Sequence, residues 1–257
     1  MNNQILFIGT SSGKTSLKRF HSSLLLNTEK FRLLIDAGDS VSRALLKQKI
    51  DLNNINAILI SHFHADHYSG LASLVTQMHL SKRKNSLKIF VHKKFAKQIK
   101  IFLNQSYLFE EKLTFNLTIN GYDFGKEIEL DKNLSFTPKQ NSHIRNKRNL
   151  KNYNGIKFIS SSFLFSLNDK KIFYTSDVGN KEDLYLFDLS KVDLLISEVT
   201  HIDKEIFQKI LAQFENLQIY LTHYDDDAFD ELISWRKNFS KSDLRRLKIA
   251  KDGMKIS

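Results

Sequence analysis

The 257-residue chain contains no cysteine, which excludes disulfides, thiolate metal ligands and a cysteine nucleophile in one step. Any metal must therefore be held by imidazole and carboxylate. One proline and nine glycines leave no Pro- or Gly-rich linker, and neither a low-complexity tract nor a repeat at a period of about 20 to 50 residues is found. No run of about 18 apolar residues is present to span a bilayer. Met1–Gly9 lacks the charged region, long apolar stretch and cleavage site of a signal peptide. A single domain over residues 1–257, cytoplasmic and without a membrane partner, is the expectation.

Charge is the first thing present in excess. Thirty-nine Lys and Arg against 28 Asp and Glu give a formal charge of +11, which invites a nucleic-acid or other anionic partner. The cations are mostly Lys, however, and the chain is also heavy in Asn, Ile and Phe, all read from AT-rich codons. Global charge is thus weak evidence, and its location matters more.

Apolar runs at Ile5–Ile8, Ser23–Leu26, Phe31–Ile35 and Ala57–Ile60 read as strands. A helix around Val41–Ile50, capped by Ser40, precedes the fourth. Helices follow at Ser69–His79 and Lys94–Leu103, with a strand at Leu87–Val91 between them. The middle reads as β at Leu113–Ile119, Leu134–Thr137, Ile156–Leu167 and Lys171–Thr175, with Asn168-Asp169 as a tight turn. The last third alternates Leu194–Ser197 (β), Lys204–Phe214 (α), Gln218–Thr222 (β), Asp227–Lys237 (α) and Leu247–Ala250 (β). This mixed order predicts two mixed sheets packed together, with helices on their outer faces.

Directly after Ala57–Ile60 stands Ser61-His62-Phe63-His64-Ala65-Asp66-His67, with four potential metal ligands in the six positions 62–67. In an extended segment, residues two apart point to the same side, so His62 and His64 can grip one metal. As the chain turns into a helix, Asp66 and His67 can face a second. Three more candidates follow predicted strands: His143 beyond Phe136-Thr137-Pro138, Asp177 after Phe173-Tyr174-Thr175-Ser176, and His223 after Ile219-Tyr220-Leu221-Thr222. Asp36, in Asp36-Ala37-Gly38, reads as an acceptor that orients a ligand histidine. His79 and His92 have no supporting motif and read as ordinary surface or core residues.

These motifs resemble the metallo-β-lactamase superfamily, from Phe7-Ile8-Gly9-Thr10 through Ile35-Asp36-Ala37-Gly38 to Leu221-Thr222-His223. The resemblance implies an α+β fold, an αββα four-layer sandwich. It also implies that His62, His64 and His143 hold one metal, that Asp66, His67 and His223 hold a second, and that Asp177 bridges them. Neutral imidazoles with a few carboxylates suit Zn, and also Mn or Fe.

Substrate must be read from the rim. His143 sits within residues 139–151, which carry Lys139, Arg145, Lys147, Arg148 and Lys151 and no acid, favouring a phosphate-bearing substrate. Gly9-Thr10-Ser11-Ser12-Gly13 and His21-Ser22-Ser23-Leu24-Leu25-Leu26 resemble the start of ribonuclease Z, the tRNA 3′-processing endonuclease, and of related phosphodiesterases. Leu194-Leu195-Ile196-Ser197-Glu198-Val199-Thr200 is similar to that family's Glu-Ala-Thr motif. There Glu198 would serve an acid/base relay, but the later His-Ser dipeptide is missing and His201 is the histidine at hand. Only 33 residues separate His143 from Asp177, too few for a tRNA-gripping arm besides a basic loop and a hairpin.

The expected activity is a binuclear, metal-dependent phosphodiesterase. Its substrate would be a small anionic diester such as a cyclic nucleotide or cyclic phosphate, or a nucleic-acid end. Asp66 would manage the nucleophile's proton, and Glu198 or His201 the leaving group's. An esterase, lactonase or thioesterase of the same fold, a tRNA 3′-processing endonuclease and a non-catalytic nucleic-acid-binding protein are the alternatives. A homodimer is the default assembly by base rate.

Overall fold

The computed structural model describes residues 4–144 and 155–256. Fourteen strands among them form two seven-stranded mixed sheets. The first contains β1 (Gln4–Gly9), β2 (Ser23–Asn27), β3 (Arg32–Ile35), β4 (Ala57–Leu59), β5 (Leu87–His92), β6 (Leu117–Tyr122) and β14 (Lys255–Ile256). Its order is β14-β1-β2-β3-β4-β5-β6. The second contains β7 (Ile128–Asp131), β8 (Leu134–Gln140), β9 (Ser161–Leu167), β10 (Lys170–Tyr174), β11 (Leu194–Glu198), β12 (Gln218–Thr222) and β13 (Leu247–Ile249). Its order is β13-β12-β11-β10-β9-β8-β7.

Each sheet is antiparallel on one side and parallel on the other, through β3-β4-β5-β6 and β10-β11-β12-β13. Parallel pairs need crossovers. Helices α1 (Val41–Lys47), α2 (Ala65–Tyr68), α3 (Leu71–Leu80) and α4 (Ala96–Gln105) lie in the first half, α5 (Ile206–Gln213), α6 (Phe229–Arg236) and α7 (Lys241–Arg246) in the second.

Period-two alternation sorts the core into three layers. Ile5, Phe7, Leu24 and Leu26 meet Phe136, Phe163, Phe165 and Ile196 of the other sheet. Their neighbours Leu6, Ile8 and Leu25 face Ala44, Leu45, Leu74 and Met78 of α1 and α3. On the far side, Phe173, Leu195 and Ile219 pack against Phe207, Ile210 and Trp235 of α5 and α6. Helix, sheet, sheet and helix is the metallo-β-lactamase arrangement the sequence suggests.

Several local expectations shift. Ser40 does not cap α1: it is left-handed (φ 62°) and its hydroxyl donates to Asp39 Oδ2 at 3.2 Å rather than to the helix. Residues 156–160 are not strand; β9 starts at Ser161. Leu113 and Phe115 precede β6 and pack against the helix-side core, so their apolarity serves burial rather than pairing. Strands β7 and β14 and helix α7 are short and largely polar, and carry no periodicity strong enough to read.

Candidate metal centre

The expected ligands converge where β4, β8, β10 and β12 end. His62 and His64 follow β4, and His64, extended at φ −72° and ψ 146°, is the last residue before α2. Helix α2 then turns Asp66 and His67 toward the same cleft. Close packing fixes this turn, because a Cβ on Gly38 would stand 1.8 Å from the carbonyl oxygen of Asp66. Three non-glycine residues at the strand ends, Asp36, Ser176 and His223, hold left-handed φ of 61°, 52° and 54°. Such backbone costs roughly 1 kcal/mol or more each and clusters at functional sites.

Asp177 stands at the centre, 2% exposed. Its Oδ2 lies 3.9 Å from His62 Nε2 and 3.5 Å from His143 Nε2. Its Oδ1 lies 3.2 Å from both His67 Nε2 and His223 Nε2. Asp66 Oδ2 stands 3.2 Å from His67 Nε2 and 3.3 Å from His223 Nε2. His143 Nε2 also lies 3.0 Å from His64 Nδ1. Two groups thus form, His62, His64, His143 and Asp177, and Asp66, His67, Asp177 and His223, with ligand atoms within 4.8 Å of one another.

The donor set fits metal cations. The Nε2 atoms of His62 and His67 and Oδ1 of Asp177 are buried without a hydrogen-bond partner, a costly state unless a cation satisfies them. Burial pushes His62 well below and His64 below the usual imidazole pKa, and takes His143 down to about 4. Those three rings are neutral, as ligands must be. For His67 and His223 burial is again the largest single influence and acts the same way, but Asp177 together with Asp36 at His67 and with Asp66 at His223 outweighs it and raises both. Burial works against ionised Asp177 and Asp66 as well, yet neighbouring imidazoles hold both carboxyls below their usual range.

The orienting layer is ordered. Asp36, fully buried, accepts the Ser61 amide at 2.8 Å and the Ser61 hydroxyl at 2.9 Å. His79 and His92 lie apart, their Nδ1 atoms accepting the amides of Thr114 and Lys94.

Glu198, 1% exposed at the end of β11, accepts the amides of Thr200 at 2.6 Å and His201 at 2.9 Å. Its Oε1 lies 3.1 Å from His201 Nδ1, and this contact raises the His201 pKa against the effect of burial. The His201 ring is 4.8 Å from that of His143 and 5.8 Å from that of His223, centroid to centroid.

Arg145, Lys147, Arg148 and Lys151 lie outside the described residues. Lys139 is spent elsewhere: its amine donates to the Leu186 carbonyl at 2.6 Å and covers the Phe187 ring. Sequence reasoning missed Asn141, Ser142 and Asp183, buried polar residues behind His143 and Asp177. No motif marks them, and Asp183 is one acid among several in a polar stretch.

The family model described as Anti-Pycsar protein Apyc1 matches residues 3–239. The chain belongs to this family. It is 27% identical over 231 residues to the Ribonuclease Z of Saccharolobus solfataricus, covering 78% of this chain and 77% of that one. The metallo-β-lactamase fold protein YhfI of Bacillus subtilis superposes with a TM-score of 0.75 at 18% identity, covering 99% of this chain and 98% of YhfI. The short form of human tRNase Z gives 0.70 at 19%, with the same coverages. The Apyc1-family chain is thus a metallo-β-lactamase-fold protein of the ribonuclease Z branch, and a metal-dependent hydrolase. No helix among its described residues is long and apolar enough to cross a membrane.

Proposed function

We propose that the chain is a binuclear phosphodiesterase acting on a small nucleotide-derived diester, a cyclic nucleotide or cyclic phosphate. His62, His64 and His143 hold one divalent ion, Asp66, His67 and His223 the other, and Asp177 lies between. The observation that carries the reading is the division of Asp177, with one oxygen toward His62 and His143 and the other toward His67 and His223. Zn, or else Mn or Fe, bound there supplies Lewis acidity and makes hydroxide available at neutral pH. Asp66, beside the cleft, accepts a proton from the nucleophile. His201, polarised by Glu198 and with its side chain 38% exposed, gives a proton to the leaving oxygen.

Two features favour a small anionic substrate. The connection between β8 and β9, residues 141–160, is twenty positions long, short for an arm that grips tRNA. A cavity of about 220 Å³ is lined by Lys18, Arg43 and Lys47, with Asp39 as the acid in its wall and with Arg19, whose charge is taken up by Asp226. Asp39 in its wall follows Gly38, which packs on Asp66, so the lysines and arginine of this cavity border the cleft.

The test is metal analysis together with hydrolysis of bis(p-nitrophenyl) phosphate beside a lactone and a thioester, with and without added Zn or Mn. Two metals per chain and diester cleavage abolished in His64→Ala are expected. Cleavage of only the carbonyl substrates would replace the reading with the esterase or lactonase one, and a metal-free, inactive protein would end it.

A further inference from the structure

His143 and Asp177 arrive at the cleft on two irregular loops, one after β8 and one after β10. Neither residue is inside a helix or strand. The loops pass so closely that a Cβ on Gly179 would stand 2.3 Å from the Ser142 carbonyl oxygen. Side-chain volume there would push them apart.

Asp183 stands at this approach, carried back by the 3-10 turn Lys181–Tyr185 and 5% exposed. Its Oδ2 accepts the Ser142 amide at 3.0 Å, the Ser142 hydroxyl at 2.6 Å and the Gly179 amide at 2.8 Å, and its Oδ1 accepts the Ser142 amide at 3.1 Å. Among the described residues no cation pairs with it. A buried carboxylate served only by neutral donors is a costly choice for mere packing. Here it joins the residue before His143 to the residue two beyond Asp177.

Asn141 makes a second tie. Its Oδ1 accepts the His143 amide at 3.2 Å, and its Nδ2 donates to the Asp177 carbonyl at 2.9 Å. His143 Nδ1 lies 3.3 Å from the Val178 carbonyl, which completes the contact between the loops.

We infer that Asp183 is a positioning residue that locks the His143 loop to the Asp177 loop and so holds the His143 imidazole against Asp177 Oδ2. The inference rests on the metal-site reading above. A histidine on an irregular loop adds to affinity only as far as it is held before the ion arrives. Asp183 touches no ligand side chain; it acts through the backbone of Ser142 and Gly179.

Asp183→Asn keeps the volume but turns an N–H group toward at least one of these donors, so the tie opens. Zn affinity, read by competition with a chromogenic chelator on the full chain, is expected to drop about 10- to 100-fold in one of two binding steps and to stay unchanged in the other. In metal-free protein the Ser142 and Gly179 amides should exchange hydrogen at least about tenfold faster. Ser142→Ala, which keeps both backbone donors, should show a smaller loss in the same step. Ile210→Val, a core trim under the other face of the second sheet, reports what lost stability alone does and should leave Zn affinity and both amides as in wild type.

Wild-type Zn binding in Asp183→Asn, or equal weakening of both steps, would overturn the inference while leaving the metal site standing. A wild type that binds no Zn would sink the metal reading itself. Amide exchange would then decide alone whether Asp183 joins the loops.

Discussion

The Oδ2 of Asp36 lies 2.8 Å from Nδ1 of His67, and through the Ser61 hydroxyl the same oxygen reaches His62, whose Nδ1 is 3.0 Å from that hydroxyl. A carboxylate can only accept, so the Nδ1 protons point outward and both Nε2 lone pairs face the cleft. One buried acid thereby sets the tautomer of an imidazole in each ligand group. In Asp36→Asn the amide competes as a donor, and Asn tolerates the left-handed backbone at this position. Metal affinity should fall about 10- to 100-fold, measured by competition titration. Unchanged affinity would show that the tautomers are set by something else.

Removing metal should destabilise the whole fold, because the ligands come from both sheets. With free metal at about 100 times Kd, each bound ion adds about 2.7 kcal/mol. A chelator should therefore lower Tm clearly, and His223→Ala should shrink that drop. A chelator-independent Tm would be at odds with the centre described.

His201→Ala should separate substrates by leaving group. Turnover of a diester with a ribose alkoxide leaving group should fall about 10²-fold or more, whereas bis(p-nitrophenyl) phosphate, whose leaving group needs little protonation, should change by a few fold at most. Equal rates on the poorly activated diester would reject His201 as the acid.

The loop after β1 should depend on Arg19, which pairs with Asp226, lies over the rings of Tyr224 and Phe229, and has a side chain 13% exposed. Ser16 donates to the same carboxylate at 2.7 Å. Arg19→Ala leaves Asp226, whose side chain is 25% exposed, with the Ser16 hydroxyl as its remaining side-chain donor and strips the cover from two rings, and it should cost about 2 kcal/mol in urea unfolding. Arg19→Ala with Asp226→Ala should cost clearly less than the sum of the two single changes. Simple additivity would show that the pair is not coupled.

Much of the centre is legible because its geometry is local. His62 and His64 point one way since a strand repeats every two residues, and Asp66 and His67 follow from the first turn of α2. Asp177 and His223 are readable as residues just past apolar strands. Asn141, Ser142 and Asp183 are not, since what marks them is contact across about 40 positions. Ser40 misleads for a related reason: its left-handed φ carries its hydroxyl to Asp39 rather than to the helix, and no residue type in the segment announces that. At residues 156–160 the apolar pattern resembles a strand, yet Ile156 is exposed and only Ile159 joins a core cluster.

The sequence by itself determined the donor chemistry, with no thiol and seven imidazole or carboxylate candidates, and the alternation that sorts side chains among three core layers. Both depend only on residue identity and on the repeat of a strand or helix. Tertiary structure decided which oxygen of Asp177 meets which imidazoles, which carboxylate orients His67, and how the loops of His143 and Asp177 are joined. Those relations arise only when two sheets close on each other, because hydrogen bonds between residues far apart in the chain leave no periodic trace in it.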